Sequence, residues 1–277
     1  MSSLREALEP FSAVLLTGGS SGIGKSFIQL GKKLKPELIF CNLSRRPPPE
    51  SISPNAAETL NHFSCDLAVP GEVARTTREV HALLKTVAPQ GEILLINNSG
   101  VGAFGRFPEP NLEHELHLID LNVRAVVHLT GLFLPLLRER GGAVMNIAST
   151  VAFQPTAMCA TYGATKAFVL NWTIALNEEL RGTRVRAIAV CPGTTRTDFF
   201  RRAGVGVGAA EAFAMSSDEV VTQALQALGR RRAMVVTGWR NKLLAFFGAK
   251  APKTFAARVS RKMLTRSRLT SPTEDKA

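Results

Sequence analysis

The chain has 277 residues, 45% of them apolar, with 22 glycines and 15 prolines, enough to bury a full core in one α/β unit. Its formal charge is +12, yet twelve Lys/Arg and no acid fall between Val221 and Thr273, leaving 22 basic against 22 acidic residues elsewhere. A nucleic-acid-binding core is therefore not needed to explain the charge. No run reaches the roughly 18 uninterrupted apolar residues of a spanning helix, and Met1–Pro10 lacks the apolar centre of a secretion signal. The scattered Cys41, Cys65, Cys159 and Cys191 have neither metal-ligand nor disulfide-framework spacing, so a reducing, cytoplasmic setting and no bound metal are expected.

In chain order, short apolar runs alternate with longer amphipathic stretches, the pattern of a parallel sheet covered by helices on both faces. Strands are predicted over Ala13–Leu16, Leu38–Leu43, His62–Cys65, Ile93–Asn97, Ala143–Ile147, Arg184–Val190 and Ala233–Val236. Helices are predicted over Ile23–Lys33, Gly71–Lys85, Leu112–Leu137, Ala160–Arg181 and Ser217–Leu228, the last opened by a Ser217-Asp218 cap. Arg45–Pro54 reads as a proline-rich loop. The expected fold class is α/β, a doubly wound three-layer αβα arrangement around a sheet of seven mostly parallel strands. Residues 1–238 form this domain, and 239–277 a basic, amphipathic helical extension.

The stretch Thr17-Gly18-Gly19-Ser20-Ser21-Gly22-Ile23-Gly24 follows the first strand and opens the first predicted helix. Glycines at such a turn let the backbone approach a pyrophosphate, and the helix N-terminus offers its amides and positive dipole end. Thr17, Gly18, Ser20, Ser21, Gly22, Ile23 and Gly24 are thus candidate cofactor contacts. A G-x-G-x-x-G string at Gly100, Gly102 and Gly105 runs into Pro108 and Pro110 instead of a helix, and reads as a loop lining a cleft. The second strand ends in Ser44-Arg45-Arg46 where a carboxylate would bind a ribose diol. A basic, hydroxyl-bearing corner suits a 2′-phosphate, which favours NADP (NADPH) over NAD.

Tyr162, the only tyrosine, stands four residues before Lys166 in a predicted helix, so the two side chains share a face. A free phenol titrates near 10, too high for proton exchange at neutral pH; a neighbouring ammonium is expected to lower it toward the working range. Ser149, thirteen positions upstream and just past a strand end, is placed to polarise a carbonyl and stabilise a developing alkoxide.

With these pieces in place, the sequence resembles the short-chain dehydrogenase/reductase family, in its single-domain form, over about residues 11–238. The matching motifs are Thr17–Gly24, Asp66, Asn97-Asn98-Ser99-Gly100, Asn122, Ser149, Tyr162 with Lys166, and Pro192-Gly193 followed by Thr197. The resemblance implies a Rossmann-like fold and an Asn122-Ser149-Tyr162-Lys166 catalytic tetrad, with Asn122 holding a water that links Lys166 to solvent. It implies that Asp66 and Leu67 meet the adenine, and that Asn98, Ser99 and Gly100 support its ribose and the central sheet. Tyr162 and Lys166 would also reach the nicotinamide ribose, and Pro192, Gly193, Thr195 and Thr197 the carboxamide. Ser99 replaces the family's usual alanine, and Ser21 stands where many NADP-preferring relatives carry Arg or Lys. Phosphate recognition then rests on Ser44, Arg45 and Arg46.

Substrate contacts are expected from Ser149, Phe153, Met158, Phe199 and Phe200, with Cys159 and Phe213 nearby and the Gly204–Gly208 glycines as a lid. These apolar walls suggest a hydrophobic ketone or 3-oxoacyl, lipid-like substrate, interconverted with a secondary alcohol. The tail, with helices over Asn241–Phe247 and Thr254–Leu264, either folds back over the cleft, packs on another subunit or lies in an anionic membrane interface. No nucleic-acid motif accompanies it. The rival readings are a non-catalytic NADP(H)-binding scaffold and a membrane-peripheral protein; the resemblance itself implies a homo-oligomer, dimer or tetramer.

Overall fold

Seven strands form, all but β3 from short apolar runs: β1 (Phe11–Thr17), β2 (Ile39–Ser44), β3 (Leu60–Ser64), β4 (Glu92–Asn97), β5 (Gly142–Ile147), β6 (Val185–Cys191) and β7 (Met234–Val236). All pair in parallel in the order β3-β2-β1-β4-β5-β6-β7. The computed structural model describes residues 2–49, 52, 59–203 and 214–269. Alternate residues of each strand enter opposite cores, which is why these runs carry almost no polar alternation. Val14 and Leu16 join one core with α1 (Ser2–Leu8), α2 (Gly22–Leu34) and α8 (Ser217–Gly229). Ala13 and Leu15 join the other with α3 (Pro70–Val87), α5 (Ala125–Arg140) and α6 (Ala160–Glu179). The order reverses between β1 and β4, and in such sheets the ligand crevice opens there, beyond the carboxyl ends.

Two expectations need correction, and one helix was not foreseen. The long helix predicted over Leu112–Leu137 is α4 (Leu112–Ile119), a π-helical turn (Asp120–Arg124) and α5. By length and composition the 29 residues Leu112–Arg140 could cross a membrane, but Leu118, Leu121, Leu129, Phe133 and Leu137 are buried within the fold. The cap of α8 is Ser216, not Ser217-Asp218: its hydroxyl accepts from the Glu219 amide while the Glu219 carboxylate accepts from the Ser216 amide. Ser217 is already helical, and only the residue before the helix can fold its side chain back onto the third amide. The unpredicted α1 packs Leu4, Ala7 and Leu8 into the core, three positions of one helical face.

The Arg45–Pro54 loop is described only at 45–49 and 52. The extension forms α9 (Trp239–Lys250) and α10 (Lys253–Leu269), separated at Pro252, and both pack back on the sheet's carboxyl end.

Candidate active site

At the crevice between β1 and β4 lies a cleft of about 520 Å³. Its middle is the glycine turn. Gly18 has φ +74° and Gly22 φ +54°, backbone that L side chains rarely adopt. A Cβ on Gly24 would stand 2.2 Å from the Gly18 carbonyl oxygen, so the helix can approach the strand only with glycine there. The Ser21 side chain makes no cap hydrogen bond to the first turn of α2, whose opening residues Gly22 and Ile23 line the cleft, and a helix N-terminus offers its amides to an anion. Gly18, Ser20, Ser21, Gly22 and Ile23 line the cleft. Thr17 and Gly24 do not. The buried Thr17 hydroxyl accepts from the Asn98 and Ser99 amides, at 2.9 Å each, and ties β1 to β4. The Asn98 amide group donates to the Thr17 and Gly18 carbonyls, so Asn98 braces the turn as well as lining the cleft.

One end of the cleft is formed by Ser44, Arg45, Arg46, Asp66 and Leu67. Ser44 is buried: its oxygen accepts from Asn42 at 2.9 Å and its proton goes to the Arg46 carbonyl at 2.7 Å. That leaves the two guanidinium groups as the charged donors at this corner. Arg45, 63% exposed, stands 3.9 Å from the Asp66 carboxylate. This pair is loose and solvated, so an anion can take Arg45 from it with little loss.

The other end carries Ser149, Tyr162 and Lys166. Ser149 leaves β5 as the cap of a 3-10 turn (Thr150–Phe153), where its oxygen accepts from the Val151 amide at 3.3 Å. Tyr162 and Lys166 project from the first half of α6, both buried, with the ammonium 5.9 Å from the phenol ring centre. Lys166 donates to the Ile147 carbonyl at 2.8 Å. The expectation that Lys166 lowers the Tyr162 pKa is overturned by burial. Desolvation, the largest effect on both groups, pushes the phenol above its ordinary value and holds Lys166 down to about 8. The opposing pull on Tyr162 comes from its hydrogen bond with Ser149.

Asn122 sits in the π-helical turn. Its oxygen accepts from the Val101 amide at 3.0 Å, and its nitrogen donates to the Val101 carbonyl and the Thr165 hydroxyl. A Cβ on Gly100 would meet Asn122 Oδ1 at 3.1 Å and Lys166 Nζ at 3.5 Å. Asn122 and Lys166 thus both approach Gly100. The extra residue of a π-turn re-aims a side chain, and such turns often mark functional sites.

Pro192, Gly193, Thr195 and Thr197 lie in the wall, as do Ser99 and Gly100. Of the substrate candidates, Phe199 and Phe200, on the short α7 (Phe199–Arg202), face the cleft, and Phe199 stands 5.4 Å from the Tyr162 ring. Phe153 and Met158 are not in the wall. Phe153 packs on Ala148, Val169 and Ala245, and Met158 sits at a turn with φ +69°. Val151, Thr156 and Cys159 take their place. Burial pushes the Cys159 thiol up to about 12, so it contributes shape and not nucleophilicity. The Gly204–Gly208 lid and Phe213 fall outside the described residues.

Two wall residues were not predicted, and the tail supplies further ones. Phe104, in the glycine loop, lies 5.7 Å from both Tyr162 and Phe200. His114 faces the cleft, its ring nitrogen 3.2 Å from the Gly102 carbonyl. From α10 come Ser260, Met263 and Leu264, and the Ser260 hydroxyl accepts from the Ala157 amide at 2.9 Å. The tail therefore folds back over the cleft, the first of its three expected placements.

Amides that suit a diphosphate, flanked by a basic corner and a Ser-Tyr-Lys corner, match the donor set that a nicotinamide dinucleotide requires. Fold and cleft together define a dinucleotide-dependent oxidoreductase of the doubly wound class. Residues 12–207 match the short chain dehydrogenase family, and the chain belongs to it. It is 35% identical over 185 residues to a ketoacyl reductase of Nostoc sp., covering 65% of this chain and 62% of that protein, less than two thirds of its length. It is 33% identical over 195 residues to a serine 3-dehydrogenase of Rhizobium radiobacter, covering 67% of this chain and 73% of that protein. A short-chain dehydrogenase from Sphingobium yanoikuyae, solved in complex with NADPH, superposes with TM-score 0.73 at 28% identity, covering 96% of this chain and all of that one.

Proposed function

We propose that this protein reduces a hydrophobic ketone or 3-oxoacyl derivative to the secondary alcohol with NADPH, or runs the reverse oxidation. The observation that carries it is the convergence of Ser149, Tyr162 and Lys166 at one end of a cleft whose middle is the glycine turn and whose other end carries Arg45 and Arg46. NADPH, when bound, supplies the hydride. The Ser149 hydroxyl donates to the substrate carbonyl and Tyr162 gives its proton to the oxygen as charge develops there. Burial keeps the phenol protonated, which suits it to the donor role. Phe104, Phe199 and Phe200 exclude water from the carbonyl and select apolar substituents. The ketoacyl reductase relative has a substrate of this kind, and the serine 3-dehydrogenase shows that similar chains act on polar ones. Loss of nicotinamide absorbance with a panel of aliphatic, steroidal and 3-oxoacyl ketones tests the reading. No turnover of any panel member would refute it.

The cofactor preference rests on Arg45 and Arg46. Replacing both by alanine is expected to raise the KM for NADPH at least about ten-fold, the loss of one charged hydrogen bond, with the KM for NADH unchanged. Equal losses for both cofactors would remove the assignment.

Lys166, held down to about 8, is charged below that pH and neutral above it. Between there and its ordinary value of 10.5, the unfolded chain binds a proton that the folded chain does not. The penalty for burying this charge is thus full below about pH 8 and fades above it. Lys166→Met is expected to be more heat-stable at pH 7, with the difference in Tm shrinking toward pH 10. A difference in Tm that does not change with pH would contradict this.

A further inference from the structure

The tail helices turn one face inward. On α9, Ala245 is buried and Asn241 lies against Gly193; on α10, Ala256 is buried and Ser260 and Leu264 reach the cleft. The outward face is no less apolar. Trp239, Leu243, Leu244, Phe246 and Phe247 on α9 are each 50–66% exposed. Phe255, Val259 and Met263 continue along α10 at i, i+4 and i+8, each 40–64% exposed. Two successive water-facing helices do not ordinarily expose eight large apolar side chains between them. Around them stand Arg240, Lys242, Lys250, Lys253, Arg258, Arg261 and Lys262, all exposed, with no acid between Val221 and Thr273.

Charge selects the occupant. A second copy of the chain would bring seven cations against seven cations. A layer of anionic headgroups neutralises them while its acyl boundary takes up the aromatic and aliphatic side chains. Met263 belongs to both surfaces: it is 64% exposed and also lines the cleft. We propose that the outward face of α9 and α10 docks this protein on an anionic lipid bilayer, α10 being at once a wall of the cleft and the membrane contact. The rim of the cleft then opens at the bilayer surface, and an apolar molecule can pass from lipid to cleft beside Met263 without crossing water. The docking does not require the proposed reduction, and its test does not use turnover.

The full chain is sedimented with vesicles of phosphatidylcholine alone or mixed with phosphatidylglycerol. It is expected to pellet with the mixed vesicles, less so as salt rises, and to stay in solution with phosphatidylcholine. Lys242→Gln/Arg258→Gln/Lys262→Gln is expected to lower partitioning about a hundred-fold, at about five-fold per cation. Phe246→Ser/Phe247→Ser is expected to lower it as well. None of these five residues lines the cleft, so retained NADPH binding shows that each variant is folded. If the phenylalanine variant fails that check, the charge variant carries the test. Failure of the full chain to pellet with mixed vesicles, or pelleting that the folded variants leave unchanged, overturns the proposal. So does a vesicle-free dimer that becomes monomeric on Phe246→Ser/Phe247→Ser, which would give this face to a second copy.

Discussion

Tyr162→Phe is expected to lower kcat for carbonyl reduction by about 10³-fold while leaving NADPH affinity within a few-fold of the parent. The ring is held by neighbours that do not need the hydroxyl. Phe104 lies 5.7 Å and Phe199 5.4 Å away, centre to centre, and Ala103, Leu118 and Cys159 complete the cluster. Phenylalanine fills the same volume, so the fold is retained and only the transferable proton is lost. Of the groups around the ring, Lys166 is turned to the Ile147 carbonyl and the Cys159 thiol is pushed up to about 12, which leaves the phenol as the donor there. Paired measurements decide the matter: steady-state turnover with a responsive ketone and a titration of cofactor binding. Full turnover in the variant removes Tyr162 as the proton donor. An equal fall in cofactor affinity would recast it as a binding residue.

The fold was legible because its central strands, buried on both faces, read as apolar runs, while the edge strand β3 is polar and only half-buried. All seven predicted strands are found, their ends displaced by a residue or two. The misses have local causes. Nothing in the sequence from Leu112 to Leu137 announces a π-helical turn, because one extra residue in a helix leaves the apolar spacing almost intact. Ser216 and Ser217 compete as caps, and only the Glu219 carboxylate returning to the Ser216 amide settles which one stands outside the helix.

The site was legible where a motif fixes its own geometry and illegible where distant segments meet. Ser149, Tyr162 and Lys166 reach the cleft because two lie a helical turn apart and one ends a strand. Phe153 was misplaced because a 3-10 turn directs it to the cluster of Val169 and Ala245, away from the cleft that Val151 faces. Phe104 and Leu264 come from a glycine loop and from the last helix, more than 150 residues apart, and no spacing links them. The pKa of Tyr162 was misjudged for a similar reason. The spacing reveals the nearby ammonium but not the burial of both groups, and burial has the larger effect.

Gly24→Ala is expected to weaken NADPH binding more than ten-fold and to destabilise the fold by about 1–3 kcal/mol, the usual penalty of overpacking. The new methyl would stand 2.2 Å from the Gly18 carbonyl oxygen and 2.7 Å from Asn98 Nδ2. Neither neighbour can give way cheaply. The Gly18 carbonyl accepts from Asn98, and the Asn98 and Ser99 amides are bonded in turn to Thr17, so a shift at Gly24 loosens the β1–β4 tie as well as the phosphate cradle. Gly131→Ala supplies the control. That glycine lies within α5 with nothing inside 4 Å of its added methyl, so alanine there is expected to stabilise the protein by up to about 1 kcal/mol through helix propensity alone. The two variants make the same chemical change, so any general effect of replacing glycine cancels between them. Thermal unfolding and NADPH titration of both would refute the role given to Gly24 if they showed the two variants alike.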